Sequence, residues 1–349
     1  MSFAGSSVLL LGGTGSVGGR LLQRLRAVGA NVRVLLRQGT QRRDDWSDEI
    51  AVHCGHLGDP DSVARAAEGC DVLYHCAGEA NLFADAEALS WVHVAGAENV
   101  VRAAAHVRVR RVVLLSCADA TLLDRDRIQL REDQPLGARP LGAWAQSKLL
   151  AEEVALRCAQ GIEVTAIRPA RLWGAGDFTN APQWCREALS GGLRLYGGGS
   201  QLYSVANIDN VVHALLLAAH APTAAGQVFH IADGEYETAA EFFGAWSQAL
   251  GLPPPRRGYG PWARLWARLS PTAGTYPEVV RRSRACLLDL QRAINDLHYQ
   301  PVVSRAQAFS ALAAFVQEQG GAERLAAFRR RVSDAQEVQV YVRLAAEES

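Results

Sequence analysis

Lysine is almost absent from this chain. Of its 36 basic residues, 35 are arginine, and the single lysine is Lys148, in the stretch Trp144-Ala145-Gln146-Ser147-Lys148-Leu149. A chain that writes nearly all its positive charge as planar guanidinium, yet places one compact ammonium, points to a task for a point charge at that position. Net charge is also lacking: 36 acidic residues balance the basic ones and no long basic run occurs, so the electrostatic footprint of a nucleic-acid binder is missing. Paired cysteines are lacking too. Cys54, Cys70, Cys76, Cys117, Cys158, Cys185 and Cys286 are widely spaced with no CxxC, which, with the odd count, indicates a reducing cytoplasm. No stretch approaches the roughly 20 apolar residues of a spanning helix. The first apolar run, 8–11, ends at once in glycines, so no signal peptide is expected and the protein is expected to be soluble and cytoplasmic. Histidine and cysteine never cluster at ligand spacing, so no metal site is expected.

What is present is an alternation of strand and helix. The run 8–11 meets Gly12-Gly13-Thr14-Gly15-Ser16-Val17-Gly18, followed by Leu21, Leu22 and Leu25 at helical spacing. Strand, glycine turn and helix in that order make a site where a pyrophosphate approaches bare backbone at a helix N-terminus. A second strand, 31–36, ends at Arg37, where an acidic residue would accept from the ribose 2′-hydroxyl of NAD. Arg37 cannot accept that bond but can clamp a 2′-phosphate with Arg42 or Arg43, so NADP(H) is expected in preference to NAD(H). The competing reading of Arg37 is a solvated loop charge.

A third strand, 50–54, leads through His56-Leu57-Gly58-Asp59-Pro60 into a helix that Asp59 caps, with Pro60 at its first position. A fourth, 72–76, ends in Cys76-Ala77-Gly78, small enough for the chain to pass under a cofactor. A helix over 91–106, a fifth strand over 111–115 ending in Ser116-Cys117, an irregular stretch over 118–142, the helix of Trp144 and Lys148, and a sixth strand over 164–167 closed by Arg168-Pro169 follow. This pattern predicts a doubly wound parallel α/β sheet with ligand chemistry at the carboxyl ends of its strands.

Beyond residue 170 the rhythm breaks. Glycine pairs and triplets at 191–192 and 197–199 bracket an apolar turn, a helix covers 209–219, a late strand 228–231, and another helix 239–250. Residues 253–257 form a stiff basic connector. Trp262, Leu265, Trp266 and Leu269 then recur at helical spacing with Arg264 and Arg268 between them. That face could cover an apolar substrate or rest weakly on a membrane surface, but packing into a second lobe is the more ordinary expectation. The predicted organisation is a dinucleotide-binding domain over 1–170 completed by about 205–232, a smaller, mostly helical substrate lobe over 171–204 and 233–318, and a charged helical tail over 319–349.

The glycine motif, the Ser116 strand end, Ser147-Lys148-Leu149-Leu150-Ala151-Glu152, Arg168-Pro169 and Asp209-Asn210-Val211-Val212-His213-Ala214 together resemble the extended short-chain dehydrogenase/reductases. The Asp233-Gly234-Glu235 turn, Leu252-Pro253-Pro254-Pro255 and Leu297-His298-Tyr299-Gln300-Pro301 make the chain most similar to the 3β-hydroxysteroid dehydrogenase-like, NAD-dependent epimerase/dehydratase branch. The resemblance covers roughly residues 6–318. It implies a Rossmann-type fold and hydride exchange between a nicotinamide and a carbinol or carbonyl carbon. It also implies cofactor contacts at Gly12, Thr14, Gly15, Ser16, Val17, Gly18, Arg37, His56, Leu57, Cys76, Ala77, Gly78, Lys148 and Pro169, and a homodimer through the helices at about 91–106 and 143–160.

In that family a tyrosine serves as acid/base four residues before the lysine that holds the nicotinamide ribose. Lys148 falls on the lysine; Trp144 falls on the tyrosine. No tyrosine lies between Tyr74 and Tyr196 to take its place, and an indole N–H donates a hydrogen bond without ionising. Cys117 stands where the positioning serine often lies, His56 where an adenine-facing aspartate is common, and His93 and Ala97 where asparagine and threonine are usual. The catalytic candidates are therefore Lys148, Ser116, Cys117 and Trp144, with Tyr196 or Tyr203 reaching over from the second lobe as further acids. Three functions are compatible: an oxidoreductase for an apolar alcohol or ketone, a non-redox isomerase or lyase step, or a non-catalytic cofactor-binding protein. The apolar, Trp-bearing lobe favours a lipid-, steroid- or polyketide-like substrate.

Overall fold

The computed structural model describes residues 3–40, 42–43, 46–47, 49–270 and 275–328. Seven strands form one sheet: β1 (Ser7–Leu11), β2 (Asn31–Leu36), β3 (Ala51–Cys54), β4 (Val72–His75), β5 (Arg111–Leu115), β6 (Glu163–Pro169) and β7 (Val228–Ile231). All are parallel, in the order β3-β2-β1-β4-β5-β6-β7. This is a Rossmann-type doubly wound sheet. Because successive side chains of a strand point to opposite faces, β1 feeds both layers. Val8 and Leu10 pack with Leu21, Leu22 and Leu25 of α1 (Ser16–Ala27) on one face. On the other, Leu9 and Leu11 pack with Val63 and Ala66 of α2 (Pro60–Ala67), Val100 and Val101 of α3 (Gly96–His106), and Ala151 and Ala155 of α4 (Gly142–Arg157). Helix α5 (Ile208–His220) returns to the first face through Val211 and Leu215. Leu9, Leu10 and Leu11 are fully buried, each a gain of about 1.5–3 kcal/mol over an exposed side chain.

The strand order reverses between β1 and β4, and that crevice collects the loops that follow β1, β4, β5 and β6. Asp59 accepts from Ser62 N at 3.1 Å and caps α2 as its sequence signature predicts. The helix expected over 91–106 begins earlier, at Ala86, and reaches α3 through one wide π-helical turn, Ser90–Ala95, which carries the buried His93.

Three local expectations are corrected. Within the stretch expected to be irregular, Arg127–Leu130 forms a strand paired in parallel with Cys286–Leu288. The expected connector 253–257 contributes to Arg256–Gly258, which pairs with Arg194–Tyr196 between the glycine clusters. Both pairs are three or four residues long with partners far along the chain, so neither leaves a periodicity to find.

The third correction concerns the Trp262 helix. It forms over Gly260–Leu269, but it buries only Gly260 and Ala267. Trp262, Trp266 and Leu269 are 68%, 67% and 78% exposed. The arginine side is the one that docks, because the Asp124 carboxylate draws in Arg264 (3.6 Å) and Arg268 (2.7 Å). The apolar face is left outward.

The second lobe has its own core, in which Trp173, Trp184 and Trp246 are buried with Phe242 and Phe243. Trp184 and Trp246 meet edge to face with centroids 5.7 Å apart, and the Trp173 indole donates to Asp233 Oδ2 at 2.7 Å. Of the charged helix expected over 319–349, the short helix Ala322–Ala327 is described, and the remainder beyond residue 328 lies outside the described residues. Among the described residues no helix is long and apolar enough to cross a membrane, and no group of three or more His, Cys, Asp or Glu is arranged to hold a metal.

Candidate active site

At the end of β1 the chain turns under the end of β4. Gly12 has φ +85°, and a Cβ there would lie 2.6 Å from Ala77 N and 2.7 Å from the Cys76 carbonyl carbon. A Cβ at Gly18 would lie 2.1 Å from Gly12 O, so the first turn of α1 packs directly on the loop. Gly15 is the extended N-cap of α1, with its N–H donated to Gly12 O at 3.0 Å and no side-chain cap. The first-turn amides of Ser16, Val17 and Gly18 thus open the helix beside the cleft that these residues line. Ser16 Oγ accepts from Phe178 N at 3.0 Å, tying the loop to the second lobe.

That cleft also brings together Cys76, Ala77 and Gly78 from the end of β4, Ser116 and Cys117 from the end of β5, Pro169 from β6, and Trp144 and Lys148 from α4. Gly12 and Thr14 lie in the loop but do not line it. Arg37, His56 and Leu57 are also outside it. Arg37 is exposed beyond the end of β2, and the buried Leu57 carbonyl accepts from Asn99 Nδ2 at 3.0 Å. Arg42 turns back onto the carbonyls of Trp46 (3.2 Å) and Ser47. Arg43 reaches the start of α1, with Nη1 3.7 Å from where a Gly19 Cβ would stand.

Trp144, Ser147 and Lys148 share α4 at a spacing that turns them toward one side. Lys148 Nζ donates to Leu115 O at 3.1 Å, the carbonyl preceding Ser116. Its burial pushes its pKa below the ordinary lysine value, against the opposing effect of Cys117, Glu152 and Cys76.

Trp144 is held by a closed ring of hydrogen bonds. Its Nε1 donates to Glu79 O at 2.9 Å. His93 Nε2 lies 3.0 Å from both Glu79 N and Glu79 O, and Nδ1 lies 2.8 Å from Ser147 Oγ, so either neutral tautomer keeps the imidazole bonded at both nitrogens. Ser147 Oγ donates in turn to Trp144 O at 2.9 Å. Burial, then the charge of Lys148, holds the His93 pKa down at about 3, so the imidazole is neutral. The Arg281 guanidinium lies 5.7 Å above the indole. The Trp144 N–H is committed to a backbone carbonyl.

The remaining candidate acids differ in placement. Ser116 Oγ is buried with no hydrogen-bond partner, an arrangement that costs about 1–3 kcal/mol unless something else is bound there. The Cys117 thiol is pushed up to about 11 by burial and by Asp119, so it stays protonated at neutral pH. Tyr203 is buried beneath Arg171 (5.9 Å) and lines a separate small cavity with Asp119 and Cys286. Tyr196 lies in the two-stranded pair with Gly258. Neither tyrosine lines the cleft.

The cleft opens into a chamber of about 390 Å³, sharing Glu79, Ala80, Leu82, Thr179, Asn180 and Arg281 with it. Phe83, Phe178, Pro182 and Phe328 supply its apolar wall, and Gln183, Arg186 and Glu278 its polar groups. Behind it Arg171, Arg281 and Arg282 meet Asp119, Glu187 and Glu278. Burial pushes the Glu278 carboxyl upward, but Arg282, Arg171 and Arg281 outweigh it and hold it at about 2. The positions of Glu79, Asp119 and Arg281 around Trp144 carried no sequence signal; Glu79 and Arg281 are more than 200 residues apart.

A glycine loop that only hydrogen side chains permit, a helix N-terminus, small residues at the β4 end and a buried ammonium fit a dinucleotide. Fold and site together define an extended short-chain dehydrogenase/reductase. The chain belongs to the NAD-dependent epimerase/dehydratase family, whose model matches residues 8–232, and its relatives include 3β-hydroxysteroid dehydrogenases. It is 32% identical over 225 residues to the 4-hydroxy-2-methyl-3-oxo-4-farnesyl-3,4-dihydroquinoline-1-oxide ketoreductase of Stigmatella aurantiaca, covering 64% of this chain and 67% of that one. It is 29% identical over 331 residues to a 3β-hydroxysteroid dehydrogenase/Δ5→4-isomerase of Mycobacterium tuberculosis, covering 87% and 88% of the two chains. A Bordetella bronchiseptica enzyme solved in complex with NAD+ superposes with a TM-score of 0.71 at 20% identity, covering 90% of this chain and 99% of that one. The family is nicotinamide-dependent, and these two relatives are oxidoreductases by name.

Proposed function

We propose that the protein is an NADP(H)-dependent ketoreductase for an apolar ketone or the corresponding alcohol, working without the family's tyrosine. The observation that carries this is the buried, unpartnered Ser116 hydroxyl beside Lys148, in a cleft that opens on a chamber walled by phenylalanines. The relatives named as a farnesyl-quinoline ketoreductase and a steroid dehydrogenase support an apolar substrate.

When bound, the reduced nicotinamide supplies the hydride. The α1 amides would hold the pyrophosphate and Lys148 the ribose. The Ser116 hydroxyl donates to the substrate carbonyl oxygen, with the protonated Cys117 thiol adjacent. As the carbonyl carbon gains the hydride, its oxygen takes the proton of Ser116. Lys148, anchored on the carbonyl of Leu115 and outside hydrogen-bond reach of Ser116 Oγ, would return that proton through a bound water, and its lowered pKa makes it a readier donor than an exposed lysine. Arg37, exposed beyond the end of β2, and Arg43, near the start of α1, are the cations that would take a 2′-phosphate, which supports NADP(H) over NAD(H).

Fluorescence titration with NADPH, followed by turnover of an apolar β-ketoester, tests this. Ser116→Ala is expected to lower kcat by about 10²-fold or more while leaving NADPH affinity in place. An unchanged kcat would remove Ser116 from the reaction. The committed Trp144 N–H favours one second reading, cofactor binding without turnover. A parent that binds NADPH but reduces nothing, with reduction gained in Trp144→Tyr, would establish it.

A further inference from the structure

We infer that the helix Gly260–Leu269 is a docking face for an anionic lipid bilayer. Trp262, Leu265, Trp266 and Leu269 fall at i, i+3, i+4 and i+7 on one side of this helix, and all four are at least half exposed. Tyr259, just before it, is 66% exposed. Isolated exposed apolar residues are ordinary, but five large ones on one turn-and-helix segment form a patch that marks an interaction site.

Charge selects the occupant. Between Glu241 and Glu278 the sequence contains no acidic residue and four arginines, Arg256, Arg257, Arg264 and Arg268. Among the described residues, the carboxylate that reaches this segment is Asp124, shared by Arg264, Arg268 and Arg284, so three guanidiniums face one negative charge. Arg256 and Arg257 are exposed on the strand leading into the helix. A protein partner's core contact needs no such unbalanced charge; a layer of anionic headgroups over acyl chains matches both halves. Tryptophans seat at the headgroup level, and the exposed Arg256 and Arg257 can reach the phosphates, whereas Arg264 and Arg268 are held on Asp124.

The orientation of the helix supports the same occupant. Its charged side is docked on the protein and its apolar side is turned out, the reverse of a helix whose apolar face completes a core. It also packs against the helix Thr275–Arg281, whose last residue lines the cleft and the chamber. A bilayer on this face would present an apolar substrate next to the chamber. That consequence rests on the proposed function; the docking does not.

The test is flotation of the full chain with vesicles of phosphatidylcholine alone or of phosphatidylcholine and phosphatidylglycerol in equal amounts, at low and high salt. The expected result is flotation with the anionic vesicles, reduced by salt and nearly absent with the neutral ones, and a blue shift of tryptophan emission. Trp262→Ser/Trp266→Ser, which removes only exposed side chains, should keep the parent's circular dichroism, denaturant midpoint and NADPH affinity yet lower vesicle partitioning at least about tenfold. Arg256→Ser/Arg257→Ser should weaken anionic binding and its salt dependence. Three results would overturn the inference: a parent that does not float, tryptophan variants that float as well as the parent, or a concentration-dependent dimer that the tryptophan variants dissolve. The last would make the face an interface between two copies. Because NADPH affinity is read separately, loss of the cofactor reading and loss of the docking reading are distinguishable.

Discussion

Replacing Trp144 by phenylalanine separates a structural indole from a chemical one. The substitution keeps an aromatic face beneath Arg281 and removes the single N–H that donates to Glu79 O at 2.9 Å. A backbone–side-chain hydrogen bond of this kind contributes about 0.5–1.5 kcal/mol net. The Glu79 carbonyl is not left bare, because His93 Nε2 stands 3.0 Å from it and can turn its proton that way at the cost of the bond from Glu79 N. Trp144 is only partly buried, so the volume lost adds little. The expected destabilisation is therefore about 1–2 kcal/mol, read as a lower denaturant midpoint with an unchanged slope. The rate tells the rest. If the N–H is committed to Glu79 throughout, kcat with saturating NADPH stays within about threefold of the parent, while Ser116→Ala loses about a hundredfold. A Trp144→Phe enzyme that keeps its denaturant midpoint and loses a hundredfold in kcat would refute the reasoning. It would show the indole leaving Glu79 to act on the substrate oxygen.

Gly18→Ala should weaken NADPH binding at least about tenfold in a fluorescence titration, because a Cβ 2.1 Å from Gly12 O cannot be accommodated without moving the loop; an unchanged affinity would place the dinucleotide elsewhere. Arg37→Asp should weaken NADPH far more than NADH, and equal loss for both would show that Arg37 does not meet the 2′-phosphate. Stability should fall on acidification: burial holds His75, His93 and His230 down at about 3, whereas in the unfolded chain they take up protons near 6.5. The stability they contribute is whole above about pH 6.5 and is lost as pH falls toward about 3. Asp177 and Glu237, pushed by burial up to about 6 and about 7, work in the opposite direction and soften the slope. Denaturant midpoints measured from pH 7 to 4, for the parent and for His230→Gln, check this; the variant should lose less stability per pH unit, and an identical slope would remove His230 from the account.

Much of the layered fold was legible because its signals are local. Short apolar runs, glycine turns and helical spacing located six of the seven sheet strands before the break at 170 and the seventh after it; the central strands, buried on both faces, leave continuous apolar runs, whereas the edge strand Ala51–Cys54 is largely exposed. The small parallel pairs escaped, because Arg127–Leu130 finds its partner at Cys286–Leu288 and no local pattern records a pairing across such a separation. The site divides the same way. The glycine loop, Lys148 and the Ser116 strand end lie in recognisable stretches and line one cleft. Neither Tyr196 nor Tyr203 reaches it, because their backbones run through other parts of the second lobe.

What the amino-acid order alone determined is the parallel sheet, the glycine turn beneath a dinucleotide, and the coincidence of one lysine with one tryptophan where a lysine and a tyrosine are the rule. What only the tertiary structure decided is where those groups and the second lobe's faces point. The Trp144 N–H donates directly to the carbonyl of Glu79, a residue 65 positions away, beside His93 of the π-helical turn. The Trp262 helix turns outward because Asp124, more than 130 positions earlier, takes hold of its arginines. Periodicity specifies that a helix has two unlike faces; which of them is buried depends on the neighbours that the rest of the chain brings up to it.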